Sequence, residues 1–114
     1  MSKRSWKIVF QDMLEAITKI EQYTRDMSFD DFITNSMAVD AVVRNIEIIG
    51  EASRQLNDAF RKKYSQIPWN KIAGIRNRIV HEYFGVDVSI IWFIVENELQ
   101  PLKQQIQQIL SDSA

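Results

Sequence analysis

The sequence predicts an all-α fold: a small antiparallel bundle of four to five helices. Three observations carry this reading. Apolar residues recur at helical spacing along almost the whole chain. β-Branched runs with strict apolar–polar alternation are missing. Chain breakers are scarce, with three glycines and two prolines in 114 residues, so the connections between helices are short.

The first helix is predicted from about Ser5 to Thr24. Its stripe is Trp6, Phe10, Met13, Ile17 and Ile20, stepping by four, three, four and three positions. A break follows near Asp26. Ser28 then reads as an N-cap, with Asp30 and Asp31 favourably placed in the first turn of a short second helix running through Phe32. The third helix is expected from about Ser36 to Lys62, on the stripe Val39, Val42, Ile46, Ile49, Ser53, Leu56 and Phe60. Gly50 sits inside it. An interior glycine costs roughly 1 kcal/mol relative to alanine, and close approach of another helix is one way to offset that cost.

Residues 63–68 read as a loop, and Pro68 suits the start of a helix. The fourth helix is predicted over Trp69 to Tyr83 with Ile72, Ile75 and Ile79 inward, and Gly85 is its stop signal. Asp87 caps a fifth helix with the inward stripe Val88, Ile91 or Trp92, Val95, Leu99, Leu102, Ile106 and Ile109. Pro101 is expected to kink or restart it. That helix also carries Ile90, Phe93 and Ile94, a wider apolar arc than one stripe needs. A helix central to the bundle and a subunit interface account for this equally well.

The length suits a single domain spanning residues 1–114, large enough to bury a core without staples. The composition, 46% hydrophobic and 25% charged, is that of a globular chain. With no cysteine, a disulfide framework, thiolate zinc sites and a cysteine nucleophile are all excluded. The net charge of -1 gives no long-range pull on nucleic acid, so RNA binding requires a local basic patch. Lys3, Arg4 and Lys7 precede no long apolar run. No signal peptide, membrane span or membrane partner is read, and the expected location is the cytoplasm.

The chain has one histidine, His81, in the string Arg76-Asn77-Arg78-Ile79-Val80-His81-Glu82-Tyr83. On a continuous helix, Asn77 and His81 stack on the face opposite Ile72, Ile75 and Ile79, with Gly74 beside them and Arg76 on a flank. The histidine then points away from the core, toward water, a substrate or a second subunit. A histidine near a helix C-terminus also has a purely structural use, capping the last carbonyls. A lone His with scattered carboxylates is not a metal ligand set, and no Gly-rich phosphate loop or nucleophile elbow is present. Glu47 and Glu51, four apart, fit a solvated helix face.

Several strings resemble the HepT group of HEPN proteins. They are Ile49-Gly50-Glu51-Ala52, Ile67-Pro68-Trp69 and Gly74 through Phe84, with Val86-Asp87, Ile91-Trp92 and Pro101-Leu102 downstream. The resemblance runs from about Phe10 to Leu110. Its centre is Arg-x4-His-x-Tyr with a polar residue directly after the arginine. Alone, Arg-x4-His is a weak motif; with Asn77, Tyr83 and the flanking strings it is specific.

The resemblance implies an HEPN-like helical bundle acting as the toxin of a toxin–antitoxin pair. It implies a homodimer with motifs from both subunits lining one cleft, and a minimal nucleotidyltransferase as antitoxin partner, joined with it in a hetero-oligomer that can be larger. It further implies metal-independent cleavage of RNA, tRNA or mRNA among the candidates, with no cofactor. Arg76 and His81 are then the catalytic residues and Asn77 a supporting one. Tyr83 is the tyrosine that the antitoxin modifies with AMP. A regular helix through Tyr83 would bury that tyrosine on the Ile72/Ile75/Ile79 face, so modification requires the helix to end or turn near His81. Arg78, Arg44 and Lys71 are candidate RNA-backbone contacts, and surface solubility explains each as well. The alternatives are a non-catalytic interaction module that binds a nucleotidyltransferase or nucleotide, and an accessory subunit whose role is to be modified at Tyr83.

Overall fold

A computed structural model describes residues 5–81 and 85–113. The described residues form eight helices and one two-stranded hairpin: α1 (Trp6–Tyr23), α2 (Phe29–Ile33), α3 (Ser36–Arg54), α4 (Asp58–Lys63), α5 (Trp69–Ala73), α6 (Ile75–Ile79), β1 (Val80–His81), β2 (Gly85–Val86), α7 (Val88–Asn97) and α8 (Leu99–Asp112). The all-α class holds. The helix number rises from five because each of the last three predicted helices is interrupted.

The capping chemistry explains most boundaries. The Ser5 side chain accepts from the Lys7 N–H at the start of α1. Asp26 takes a left-handed backbone, φ 61°, and turns the chain out of that helix. Ser28 and Asp31 form a reciprocal capping box, each side chain accepting from the other's N–H at 3.0–3.1 Å.

The third predicted helix stops at Arg54 rather than Lys62. Asn57 is extended, and its side chain accepts from the Phe60 N–H, which starts α4 afresh. The new direction carries Phe60 into a ring cluster with Trp6, Phe10, Tyr64 and Trp69, centroids 4.8–6.2 Å away. That cluster holds α4 and α5 against α1. On the far side Trp92 packs on Phe29 and Phe32, tying α7 to α2.

α1 and α3 form the main pair of the core, with Phe10, Met13, Ile17 and Ile20 against Val42, Ile46 and Ile49, all fully buried. Ile79, Ile91, Ile94 and Ile106 close it from the other helices. Gly50 has the use its position suggested. A Cβ there would stand 3.2 Å from the Ile75 Cγ2 and 3.3 Å from the Ile72 carbonyl oxygen. Without one, α5 and α6 lie directly on α3. The wide apolar arc of α7 divides: Ile94 is core, Ile90 is half-buried and Phe93 is exposed. No described helix is long and apolar enough to cross a membrane.

Pro101 marks a restart as expected, although the break falls earlier, at Glu98. Pro101 is the third residue of α8, where its missing N–H has no intrahelical partner to lose. Asp87 caps α7, accepting from the Ser89 and Ile90 N–H groups.

Candidate functional site

The predicted fourth helix is three pieces. α5 ends at Gly74, α6 runs five residues from Ile75 to Ile79, and Val80 then turns extended, φ -103° and ψ 126°. Val80 and His81 pair antiparallel with Val86 and Gly85. Gly85 is therefore not a helix stop. It opens β2 opposite His81 with φ 74°, a conformation natural to glycine. A further bond, from the Asp87 N–H to the Ile79 carbonyl, closes the base of this hairpin at 2.6 Å.

This corrects the geometry expected from a continuous helix. Asn77 and His81 do not stack one turn apart. With two helical and two extended steps between them, their backbones separate by roughly 9–10 Å rather than one helical pitch. The imidazole of His81 lies outside the described residues, and so does Tyr83. The continuous-helix premise that placed Tyr83 on the isoleucine face no longer applies, because helix α6 ends four residues earlier.

The inward and outward faces of α5 and α6 are as read. Ile72, Ile75 and Ile79 are buried, while Arg76 and Asn77 are exposed. The Arg76 side chain is 70% exposed, with Glu47 Oε2 on α3 4.0 Å from its Nε. That loose pairing leaves the planar face and the terminal nitrogens of the guanidinium open to a ligand. Beside it, Glu47, Gly50, Glu51, Arg54, Ala73 and Ile75 line a recess of about 60 Å³. Arg54 bonds Glu51 at 3.0 Å and donates to the Ala73 carbonyl at 2.7 Å, capping the end of α5. Glu51 is thus engaged in holding the α5–α6 joint.

Arg78 is not a free surface cation. Its two terminal nitrogens donate to both oxygens of Glu98, at 2.8 and 2.6 Å, a bidentate pair between α6 and the α7–α8 joint. Lys71, on α5, approaches the same carboxylate at 3.5 Å. Bonding to Arg78 holds the Glu98 carboxyl below its ordinary range against the opposing effect of burial, and the same bond raises the Arg78 guanidinium. Sequence reading missed this pair because its members lie 20 positions apart on different elements. Arg44 is exposed on α3, lining a separate surface recess with Asp12, Glu47 and Gln55. Among the described residues, no group of three or more His, Cys, Asp or Glu side chains is placed to hold a metal ion.

The bundle thus presents an exposed arginine and asparagine on a short helix, followed at once by a strand bearing histidine. The chain belongs to the HepT-like ribonuclease family, whose model, described as "Ribonuclease HepT-like", matches residues 13–109 and so takes in the whole of α6 and the hairpin. It is 40% identical over 107 residues to a Methanocaldococcus jannaschii protein named "Putative RNase MJ1380", covering 94% of this chain and 98% of that one. It is 39% identical over 107 residues to "Probable ribonuclease HepT" of Thermococcus cleftensis, covering 94% and 97%. A Caldanaerobacter subterraneus protein named "Putative RNase TTE0752" is 39% identical over 100 residues, covering 88% and 89%. No solved structure matches the chain.

Proposed function

We propose that this protein is a metal-independent endoribonuclease, the toxin of a toxin–antitoxin pair, with Arg76 and His81 as its catalytic residues. The observation that carries the reading is the exposed, loosely paired guanidinium of Arg76 on a five-residue helix that leads straight into the His81 strand.

RNA brings its own nucleophile, the 2′-hydroxyl, so the protein must move two protons and stabilise a crowded, negative phosphorane. His81 takes the proton from the 2′-oxygen as that oxygen attacks phosphorus; an imidazole, with its ordinary pKa of about 6.5, suits this at neutral pH. Arg76 offers the transition state a fork of N–H donors where charge accumulates. Asn77 orients the phosphate or the imidazole. The leaving 5′-oxygen needs a proton in turn. One histidine per chain makes a homodimer the economical source of the acid, with a base from one protomer and an acid from the other. The products are a 2′,3′-cyclic phosphate and a 5′-hydroxyl. The antitoxin is a nucleotidyltransferase that transfers AMP to Tyr83, placing a bulky, anionic group two residues from His81, where it repels the substrate phosphate.

Substrate chemistry tests the mechanism. Once a cut site is mapped, the same RNA with a single 2′-deoxynucleotide 5′ to the scissile bond should resist cleavage there and still be cut elsewhere. Cutting at the deoxy position would exclude attack by the 2′-oxygen. Incubation with the partner and ATP should add one adenylyl group, and Tyr83→Phe should abolish that addition; unchanged addition would move the modification to another residue.

A further inference from the structure

Helix α6 has too few residues to hold itself in place. It spans five, its N-terminus at Gly74 has no side-chain cap, and an isolated helix of that length is unstable in water. Its position comes from what touches it. On one side α3 receives it through Gly50. On the other it faces α7 and the start of α8. A cavity of about 230 Å³ opens there between Ile72 and Ile75 on one wall and Ile94, Leu99 and Leu102 on the other. Ile75 and Ile79 are buried, but apolar contact is non-directional and does not by itself set the register of α6.

Glu98 lies at the edge of that cavity. Its backbone forms the joint between α7 and α8, donating its N–H to the Ile94 carbonyl, and its own carbonyl accepts from Leu102 at 3.4 Å. The carboxylate is thereby held at the end of α7 and the start of α8. From there it takes both terminal nitrogens of Arg78 on α6 and reaches Lys71 on α5. Both pieces of the interrupted helix are therefore tied to one fixed anion. The Glu98 side chain is 19% exposed and that of Arg78 27%, so water screens this pair less than a surface pair.

We infer that Glu98 is a positioning residue of the site: through Arg78 and Lys71 it sets the register of α5 and α6 and so the placement of Arg76 relative to the His81 strand. This rests on the ribonuclease reading for its consequence in catalysis, but the clamp is a property of the fold and has its own readout. Neither Glu98 nor Arg78 touches the substrate. Arg78 is two residues from Arg76, and its guanidinium, committed to Glu98, is not a phosphate contact.

The test uses Glu98→Gln, Arg78→Gln and the double variant, each read by amide hydrogen exchange and by RNA cleavage. In both singles, exchange should rise at least about tenfold at the Asp87 and Val80 amides, which bond the Ile79 and Arg76 carbonyls, while α1 and α3 amides stay at wild-type protection. Cleavage should lose on the order of 10–100-fold in kcat with KM little changed, the size expected when a catalytic group shifts by about an ångström. The double variant should be no worse than either single, because one interaction is being removed twice. Uniform loss of protection throughout the molecule, or effects that add in the double variant, would show a general stability role and overturn the inference. Wild-type exchange at the hairpin in both singles would also overturn it. If wild-type protein cuts no RNA, the ribonuclease reading fails and exchange alone decides the clamp.

Discussion

Gly50 gives the most direct quantitative test of how α3 carries the site. Replacing it by alanine adds a methyl 3.2 Å from Ile75 Cγ2 and 3.3 Å from the Ile72 carbonyl oxygen. The first neighbour is a side-chain tip that can give by a few tenths of an ångström; the second is backbone and gives less. Against this stands a gain of about 1 kcal/mol in helix propensity. The two nearly cancel, so Gly50→Ala should change stability by less than about 1 kcal/mol in either direction. Gly50→Val sends two further methyls beyond the first, into the space held by Ile75 and the α5 backbone. Overpacking of this kind costs about 1–3 kcal/mol, with little propensity gain from a β-branched residue. At roughly 4–8 °C per kcal/mol for a domain of about this size, the midpoint of thermal unfolding should fall by at least about 4 °C. The measurement is thermal unfolding by circular dichroism, checked by urea titration at fixed pH. Because the displaced elements carry Arg76, cleavage by Gly50→Val should fall further than its unfolded fraction explains. A Gly50→Val protein with wild-type midpoint and wild-type cleavage would refute the close contact of α3 with α5 and α6.

Further outcomes follow from the same contacts. Ile79→Ala empties a fully buried position at the end of α6 and should cost about 2–5 kcal/mol in denaturant titration. Asp87→Ala removes the acceptor for the Ser89 and Ile90 N–H groups and should cost about 1 kcal/mol, with increased amide exchange in the first turn of α7. The Glu98 carboxyl titrates below its ordinary range in the fold. Its stabilisation is therefore complete above the unfolded value of roughly 4.3 and is lost as pH falls from there through the folded value. Wild type should lose more stability than Glu98→Gln across that acid range, and parallel profiles would contradict the pairing. Arg78 stays charged throughout this window.

Much of this architecture was legible from local rules. Ser28, Asp87 and Pro68 marked helix starts because capping is a matter of neighbouring residues. Gly50 stood out because a glycine inside a strong apolar stripe needs a reason. The interruptions at 55–57, Gly74 and Glu98 were hidden by the periodicity itself. Leu56 and Phe60 keep a helical spacing of four across the first break, since both half-helices face one core. The N-cap at Asn57 lies inside that stripe, where the apolar spacing conceals it. At the site, the sequence pattern placed Arg76 and Asn77 away from the core, and both are exposed. Their mutual geometry was not legible, because it depends on where α6 ends. That end is fixed by β pairing with Gly85-Val86 and by the Asp87 bond to Ile79. The Arg78–Glu98 pair was out of reach for the same reason: no local rule joins residues on separate helices.

Catalysis by Arg76 and His81 without metal is decided by incubating RNA with purified protein in excess chelator, wild type beside His81→Ala and Arg76→Ala, all three confirmed folded by circular dichroism. Wild type should cut, with cyclic-phosphate ends, and each variant should lose roughly 10²–10⁴-fold. Equal cutting by wild type and His81→Ala, or no cutting by any of the three, would contradict it.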